Sequence, residues 1–422
     1  AAAVSAKILR PAARLEACGM AAPAAAEAAE AGETAADGTS TDTRLMLRAL
    51  RLSETARRRT SPNPWVGALL VAEDGKTILG EGYHSGPGRP HAEVEAFRDA
   101  DARGHTDYSA ATLYTTLEPC HRGPNKRTPP CDELVCSRKV RRCVVGHVDP
   151  DPTFGGAGVK QMRDAGIRVD VGVAETEVQA SLRAYFHHRG HGVPYVVAKI
   201  ASSLDGRIAC ADKTSQWITK GAAREDAHRL RADSQAILVG SGTAVQDRPS
   251  LTVRLPEDPG LVEQPMRVVL DTRGRVREGP LMDTSMAPTL IFTSAEHCSA
   301  EARALWQSRG VQCCDVPVVG GGEGDGAGAR LDLRAVLRQL AKRGVMQLMV
   351  EGGAVLQGNM LREGLCDELR VYLGATLLGS SALPWAQTEL TATIKDAKFW
   401  KLRTVRQLAD DVCLEYERRL TS

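Results

Sequence analysis

At 422 residues the chain is long enough for two domains, each with its own core. A net charge of +2, only 4% aromatics and no dense Lys/Arg block argue against a broad nucleic-acid surface. No apolar run reaches bilayer length, and an odd set of eleven cysteines, several inside apolar segments, fits reduced thiols better than a disulfide scaffold.

Residues 1–42 form an Ala-rich leader of low complexity, expected to be disordered. Lys7, Arg10 and Arg14 precede acids that accumulate from Glu27. Transit segments and plain extensions share that gradient, so the expected compartment is the plastid stroma in the first case and the cytoplasm in the second. From Thr43 the pattern turns globular. Leu45, Leu47, Leu50 and Leu52 predict a helix, and Asn63-Pro64-Trp65-Val66-Gly67 leads into a strand over 68–72. A helix from His91, a strand over 111–116, a helix from Cys131 and a strand over 143–148 follow. This βα alternation implies a mainly parallel or mixed sheet covered by helices.

Helical patterning stops around Arg189-Gly190-His191-Gly192-Val193-Pro194, and a strand opens at Tyr195-Val196-Val197. The boundary between a first domain, 43–190, and a second, 191–422, is placed there. Further strands are predicted near 236–239, 267–270, 289–292 and 347–350. Leu333, Val336, Leu337 and Leu340 recur at helical spacing, with Gly344 as the stop. Cys313 and Cys314 fall on opposite faces of a strand. The run Gly320-Gly321-Gly322-Glu323-Gly324-Asp325-Gly326 lacks the Lys-Ser/Thr of a phosphate loop and is expected to be a surface loop.

His91-Ala92-Glu93, Glu118-Pro119-Cys120 and Pro129-Pro130-Cys131 carry the chemistry. One imidazole and two thiolates supply three ligands for a tetrahedral zinc and leave its fourth position for water. The nearby Glu93 is left to move protons, which is the H-x-E…P-C arrangement of zinc-dependent nucleobase deaminases. His91 and Cys131 fall at predicted helix starts, where backbone N–H groups favour anionic sulfur. A closed structural zinc, with His84 or His121 as fourth ligand, is the competing reading, but it leaves Glu93 without a purpose. Ten residues separate Cys120 from Cys131, longer than the usual P-C-x-x-C.

Together with Asn63-Pro64-x-Val66-Gly67, Gly82-Tyr83-His84 and Asp149-Pro150-x-Pro152, these motifs resemble the bifunctional riboflavin-biosynthesis deaminase–reductases. The second half resembles that family too, at Lys199-x-Ala201-x-Ser203-Leu204-Asp205-Gly206, Ser215-x-Trp217-Ile218-Thr219, Gly242-Thr243-x3-Asp247-x-Pro249-x-Leu251-Thr252-x-Arg254 and Val350-Glu351-Gly352-Gly353. The resemblance implies a cytidine-deaminase-like α/β/α domain followed by a dihydrofolate-reductase-like α/β domain. It implies zinc on His91, Cys120 and Cys131, with Glu93 as proton shuttle and Asn63 and His84 on the pyrimidine substrate. NADPH is expected on Ala201, Trp217, Thr243, Asp247, Thr272 and the Gly353-Ala354-Val355-Leu356-Gln357-Gly358-Asn359 turn. The phosphorylated substrate is expected on Ser215, Arg231, Leu251, Arg254 and Glu351, with Arg231 and Arg254 forking onto its phosphate.

Lys199, an ammonium in an apolar strand, is expected to act in reduction alongside Glu351; the competing reading is a buried Lys–Glu pair. The loop after Cys120 is two residues longer than the common family spacing, and Ala157 stands where many members carry Arg. The substrate is thus expected to be a small phosphorylated pyrimidine, with a homo-oligomer as the assembly and no nucleic acid or membrane as partner. A zinc-dependent nucleic-acid or nucleoside deaminase with an accessory domain is the alternative.

Overall fold

A computed structural model describes residues 40–123, 129–151, 155–255, 263–320 and 328–419. Nearly all of the leader, Arg127, Thr128, Pro152 and the Gly321–Gly326 run lie outside them. Residues 41–419 belong to one compact unit holding two large sheets.

The first sheet begins after helix α1 (Thr41–Glu54), whose Leu45, Met46, Ala49 and Leu50 face inward. Strands β1 (Gly67–Val71) and β2 (Ile78–Tyr83) form a hairpin, followed by α2 (Ala92–Ala102), β3 (Thr112–Leu117), α3 (Cys131–Arg138), β4 (Arg142–His147), α4 (Ala157–Asp164) and β5 (Arg168–Val171). The order is β2-β1-β3-β4-β5, with β1 antiparallel to both neighbours and β3, β4 and β5 parallel. On β2, a Cβ at Gly80 would lie 2.3 Å from Ala96 O, and one at Gly82 would lie 2.4 Å from Ala96 N. Glycine there lets the strand backbone lie directly on α2, which fixes the helix that carries Glu93.

Helices α5 (Glu175–Ser181) and α6 (Arg183–His191) lead to the second sheet. It contains β6 (Tyr195–Ser203), while β7 (Arg207–Ala209) belongs to a small separate hairpin. Then come α7 (Gly221–Ala232), β8 (Ala236–Gly240), α8 (Ser241–Gln246), β9 (Met266–Leu270), β10 (Thr289–Thr293), α9 (Ala300–Ser308) and β11 (Gln312–Asp315). The short β12 (Val318–Val319) and β13 (Arg330–Leu331) pair with each other. The chain continues through α10 (Leu333–Ala341), β14 (Gln347–Val350), α11 (Ala354–Arg362), β15 (Glu368–Gly374), β16 (Leu383–Pro384, paired with β7), β17 (Trp400–Leu408) and β18 (Asp411–Arg418). The nine-stranded order is β11-β10-β9-β8-β14-β6-β15-β18-β17, parallel as far as β15 and antiparallel in the last hairpin.

The expected strands and helices are present within a residue or two, and Gly344 stands at φ +81 just beyond α10. Cys313 is exposed and Cys314 partly covered, as strand alternation requires, and no disulfide joins the described cysteines. One apolar cluster runs from Leu45 and Met46 through Leu182 and Tyr185 to Val197, Ile237 and Met349, so the two sheets share a continuous core. Polar ties add to it. Arg58 Nε donates to Asp233 Oδ1 at the end of α7 (3.0 Å), and Ser61 Oγ donates to Gly344 O (3.1 Å). Among the described residues no helix is long and apolar enough to cross a membrane.

Candidate zinc centre and reductase crevice

His91 is the N-cap of α2, Glu93 lies in that helix's first turn, Cys131 opens α3, and Cys120 follows β3. The fold thus brings three segments to one point. His91 Nδ1 lies 3.4 Å from Cys120 Sγ and 3.3 Å from Cys131 Sγ. Tetrahedral zinc, with bonds of about 2.0 Å to nitrogen and 2.3 Å to sulfur, spaces such ligands about 3.6 Å apart. The triangle therefore fits the ion. The start of α3 supports it: Cys131 N donates to Cys120 O (3.0 Å) and lies 3.4 Å from Cys120 Sγ.

The charges fit as well. Glu93, 3% exposed, is pushed up to about 7 by burial and the Cys120 charge. Cys131, 1% exposed, is pushed well up by its contact with Cys120 and by burial. Three acids crowd one another, and a dication is the charge that relieves them.

His84 does not complete a closed site. Its Nε2 faces Asn63 Nδ2 at 3.1 Å and its Nδ1 faces Pro90 O at 3.0 Å, so the proton sits on Nδ1 while Nε2 accepts. Its ring meets His91 edge-on, with centroids 5.3 Å apart. His121 pairs with the buried Asp132 at 2.5 Å. Among the described residues, the group placed to hold a metal is His91, Cys120 and Cys131.

Sequence reasoning gives Glu118 no role beyond its motif. Its buried carboxylate accepts the N–H groups of Asp149 (3.1 Å), Gly156 (2.8 Å) and Val159 (2.9 Å). It thereby holds the loop entering α4 against the segment bearing Cys120. Gly158 completes this contact, since a Cβ there would lie 2.3 Å from Pro119 O. Two prolines and a glycine around the Cys signal a tight turn, but not its partner.

The second group gathers at the carboxyl ends of parallel strands, where open α/β sheets bind ligands. Lys199 and Ala201 lie on β6, Thr243 on α8 beyond β8, Thr272 beyond β9, and Glu351 and Gly353 beyond β14. Thr243 Oγ1 accepts the Gly353 N–H (3.0 Å), which ties α8 to the start of α11. Trp217 is 66% exposed, with the Arg224 guanidinium 4.3 Å from its ring centroid. Ser215 is partly covered, and Asp247 stands exposed at the end of α8. The exposed Trp217 face and the Gly352-Gly353 start of α11 suit a dinucleotide's rings and phosphates.

Several expected contacts take a different form. Arg231 does not stand open to a phosphate: its Nε and Nη2 fork onto Glu351 at 2.5 and 2.7 Å, and its Nη1 donates to Thr252 O at 3.0 Å. Burial alone would raise Glu351, but the Arg231 charge and hydrogen bonds hold it down to about 2. A carboxylate this deep needs such a partner. The partner of Glu351 is thus Arg231, and the competing reading of a buried Lys199–Glu351 ion pair does not hold. Lys199 feels Glu351 at longer range, is pushed down by burial, and has its ammonium 6.0 Å from the Tyr372 ring centroid.

Within the α11 turn, Ala354, Leu356, Gln357 and Gly358 are buried, Asn359 is partly covered, and Val355 is exposed. Gln357 Nε2 donates inward to Lys199 O (2.9 Å) and Val350 O (3.1 Å), clamping β6 to β14. Leu251 is buried in the core at φ +52, so it offers a ligand its backbone only. Arg254 is the exposed cation of this cluster.

Known proteins share both halves. The cytidine and deoxycytidylate deaminase zinc-binding region matches residues 39–147, and the RibD C-terminal domain matches 194–414. The riboflavin biosynthesis protein RibD of Chlamydia pneumoniae is 40% identical over 340 residues, covering 80% of this chain and 86% of that one. RibD of Escherichia coli K12 is 37% identical over 380 residues, covering 87% and 97%. The solved Acinetobacter baumannii RibD, form 2, matches with a TM-score of 0.76 at 33% identity, over 90% of this chain and 99% of that one. The Thermotoga maritima diaminohydroxyphosphoribosylaminopyrimidine deaminase/5-amino-6-(5-phosphoribosylamino)uracil reductase matches at 0.75 and 30%, over the same shares. With both family models matched in order along the chain, and relatives 37–40% identical over most of their own length, the chain belongs to the RibD family of riboflavin-biosynthesis deaminase–reductases.

Proposed function

We propose that the chain deaminates 2,5-diamino-6-(5-phosphoribosylamino)pyrimidin-4(3H)-one and then reduces its ribosyl group, giving 5-amino-6-(5-phosphoribitylamino)uracil. The observation that carries this reading is the N/S/S triangle with the buried Glu93 carboxyl beside it. Bound zinc supplies the Lewis acidity that makes water a nucleophile near neutral pH. Glu93 takes one proton from that water and passes it to the ring nitrogen, then carries the second, from the hydroxyl added at carbon, to the departing ammonia. Asn63 and His84, which orient each other, are assigned to the pyrimidine.

NADPH supplies hydride in the second reaction. Ala201, Trp217, Thr243, Asp247, Thr272 and the Gly353–Asn359 turn are assigned to the cofactor. Ser215, the Leu251 backbone, Arg254 and the Arg231–Glu351 pair are assigned to the substrate. Reduction at carbon also needs a proton at nitrogen or oxygen. Lys199, readier to lose its proton because burial disfavours the ammonium, is assigned as its donor.

Residues 43–190 are assigned to deamination and 191–422 to reduction. The exposed Phe399, Leu402 and Val405 on and beside edge strand β17 support a homo-oligomer, which light scattering on the purified chain decides. Residues 1–42 fused to a fluorescent reporter distinguish a cytoplasmic from a plastid chain. Purified protein incubated with the diaminopyrimidine ribotide tests the chemistry by mass spectrometry. Deamination is expected without NADPH and the ribityl product only with it; recovery of unchanged ribotide from zinc-loaded protein refutes the assignment.

A further inference from the structure

Segment 250–254, which carries Arg254, is pinned residue by residue. Thr252 O accepts from Arg231 Nη1, and both the N–H and C=O of Val253 are held by the Gln264 amide (2.8 and 3.2 Å). The Arg254 N–H is held by His228, a half-buried residue of α7 that neither the motifs nor the chemistry above puts to use. His228 Nδ1 accepts that N–H at 3.2 Å. An accepting Nδ1 leaves the ring proton on Nε2, so this bond exists only for neutral His228. Burial and the charges of Arg231 and Arg254 push His228 down to about 4 against the pull of Glu351, which keeps the ring neutral at working pH.

The side chain of Arg254 is the consequence. Its main chain is fixed by His228, and its Nη1 donates to Ser250 Oγ (2.9 Å), so the guanidinium folds back along the segment and stays exposed. Arg231 is neutralised by Glu351, and among the described residues Arg254 and Lys199 form no ion pair. Two positive charges match a phosphate monoester of about −1.5 to −2.

We propose that His228 is a positioning residue of the reductase. By holding the Arg254 main chain it aims that guanidinium at the 5′-phosphate of the ribosyl substrate, and so sets the preference for phosphorylated over unphosphorylated substrate. This rests on the assignment of Arg254 to that phosphate, and the test separates the two.

Reduction by the full-length chain at saturating NADPH is measured on 5-amino-6-(5-phosphoribosylamino)uracil and on its dephosphorylated form. The variants are His228→Leu, His228→Asn and Arg254→Ala. Leucine removes the acceptor, whereas the asparagine Oδ1 takes the place of Nδ1. His228→Leu is expected to raise KM for the phosphorylated substrate about 5- to 10-fold, the worth of one neutral hydrogen bond. Its kcat and NADPH Kd should stay within about twofold, its KM for the dephosphorylated substrate should be unchanged, and His228→Asn should restore the phosphorylated KM.

Arg254→Ala should abolish most of the preference for phosphate. If it does so while His228→Leu keeps the wild-type preference, the inference is overturned alone. If neither variant changes the preference, the Arg254 assignment falls and the inference with it. Weakened NADPH binding in His228→Leu, or equal impairment of His228→Leu and His228→Asn, assigns His228 a merely structural role and also overturns the proposal.

Discussion

Lys199→Met and Glu351→Gln should move stability in different directions although both residues belong to one cluster. Glu351 is forked by Arg231 at 2.5 and 2.7 Å in a buried setting. Replacing its charge strands the Arg231 guanidinium beside Lys199, and breaking a buried pair in this way costs about 3–5 kcal/mol. For a cooperative unit the size of the second sheet with its helices, that loss lowers Tm on the order of 10 °C. Lys199 is the reverse case. Among the described residues its ammonium has no ion pair within 4 Å, only the Tyr372 ring at 6.0 Å and the more distant Glu351 charge. Methionine has a similar shape and no charge to desolvate, so the substitution should be neutral or stabilise by about 1 kcal/mol. Reduction should nevertheless fall at least about 10²-fold, the low end for a positioned proton donor. Differential scanning calorimetry with single-turnover NADPH oxidation reads both quantities. A Lys199→Met protein that melts about 10 °C early yet reduces normally when folded would refute the reasoning and make Lys199 a structural cation.

Glu93→Gln keeps the size and the three ligands, so zinc and reduction should persist while deamination drops at least ~10²-fold; unchanged deamination excludes the proton shuttle. Cys131→Ala should lower metal content from about one zinc per chain and silence deamination, and chelation should do the same to the wild type, with NADPH oxidation of deaminated substrate retained in both. Full zinc in Cys131→Ala would remove that ligand from the assignment. His187, at the junction of α6 with β15, tests linkage. Burial, His191 and Arg418 push it down to about 4, whereas the unfolded ring titrates near 6.5. Between those values the unfolded chain binds the extra proton, so this contribution to stability is lost as pH falls from 6.5 toward 4, by about 3 kcal/mol in all. Asp367, 3.6 Å away and pushed up to about 6 by burial, acts in the opposite sense below pH 6. The informative quantity is therefore the difference in unfolding free energy between His187→Asn and wild type, which should swing toward the variant on acidification; a difference independent of pH shows that His187 is not held neutral.

The zinc triangle is legible in the sequence because its chemistry coincides with local structure: His91 caps one helix and Cys131 opens another. The buried parallel strands are legible for a related reason, since runs such as Ala236–Val239 and Leu348-Met349-Val350 are apolar on both faces. Strand β2 is not, because Gly80 and Gly82 answer to the approach of α2 and carry no strand signal of their own. The last hairpin carries the apolar–charged alternation of half-buried strands, with Arg406 reaching across it to Glu415, a pairing that only the register shows. The Arg231–Glu351 fork is not legible because a helical arginine reveals nothing of a carboxylate 120 positions away. Gln357 and Glu118 share that difficulty: each satisfies backbone groups that only the folded chain brings near.

The two sites are built on opposite electrostatic grounds, and each imbalance points at its ligand. At the first, Glu93, Cys120 and Cys131 crowd three acidic groups into a buried corner, and the rise of Glu93 to about 7 records their mutual repulsion together with burial. Adding a dication removes the repulsion and leaves Glu93 ionised, as a proton acceptor must be. At the second, the Arg231–Glu351 fork is closed on itself, so it contributes rigidity and little net charge. The remaining cations are Lys199 and Arg254; burial and the charges of Arg231 and Arg254 hold His228 down, and an anionic substrate suits such a cluster. In the proposed reduction, a phosphate bound there would raise the Lys199 proton affinity while holding the sugar in reach, so the group that binds the substrate would also keep the assigned proton donor charged until it is needed.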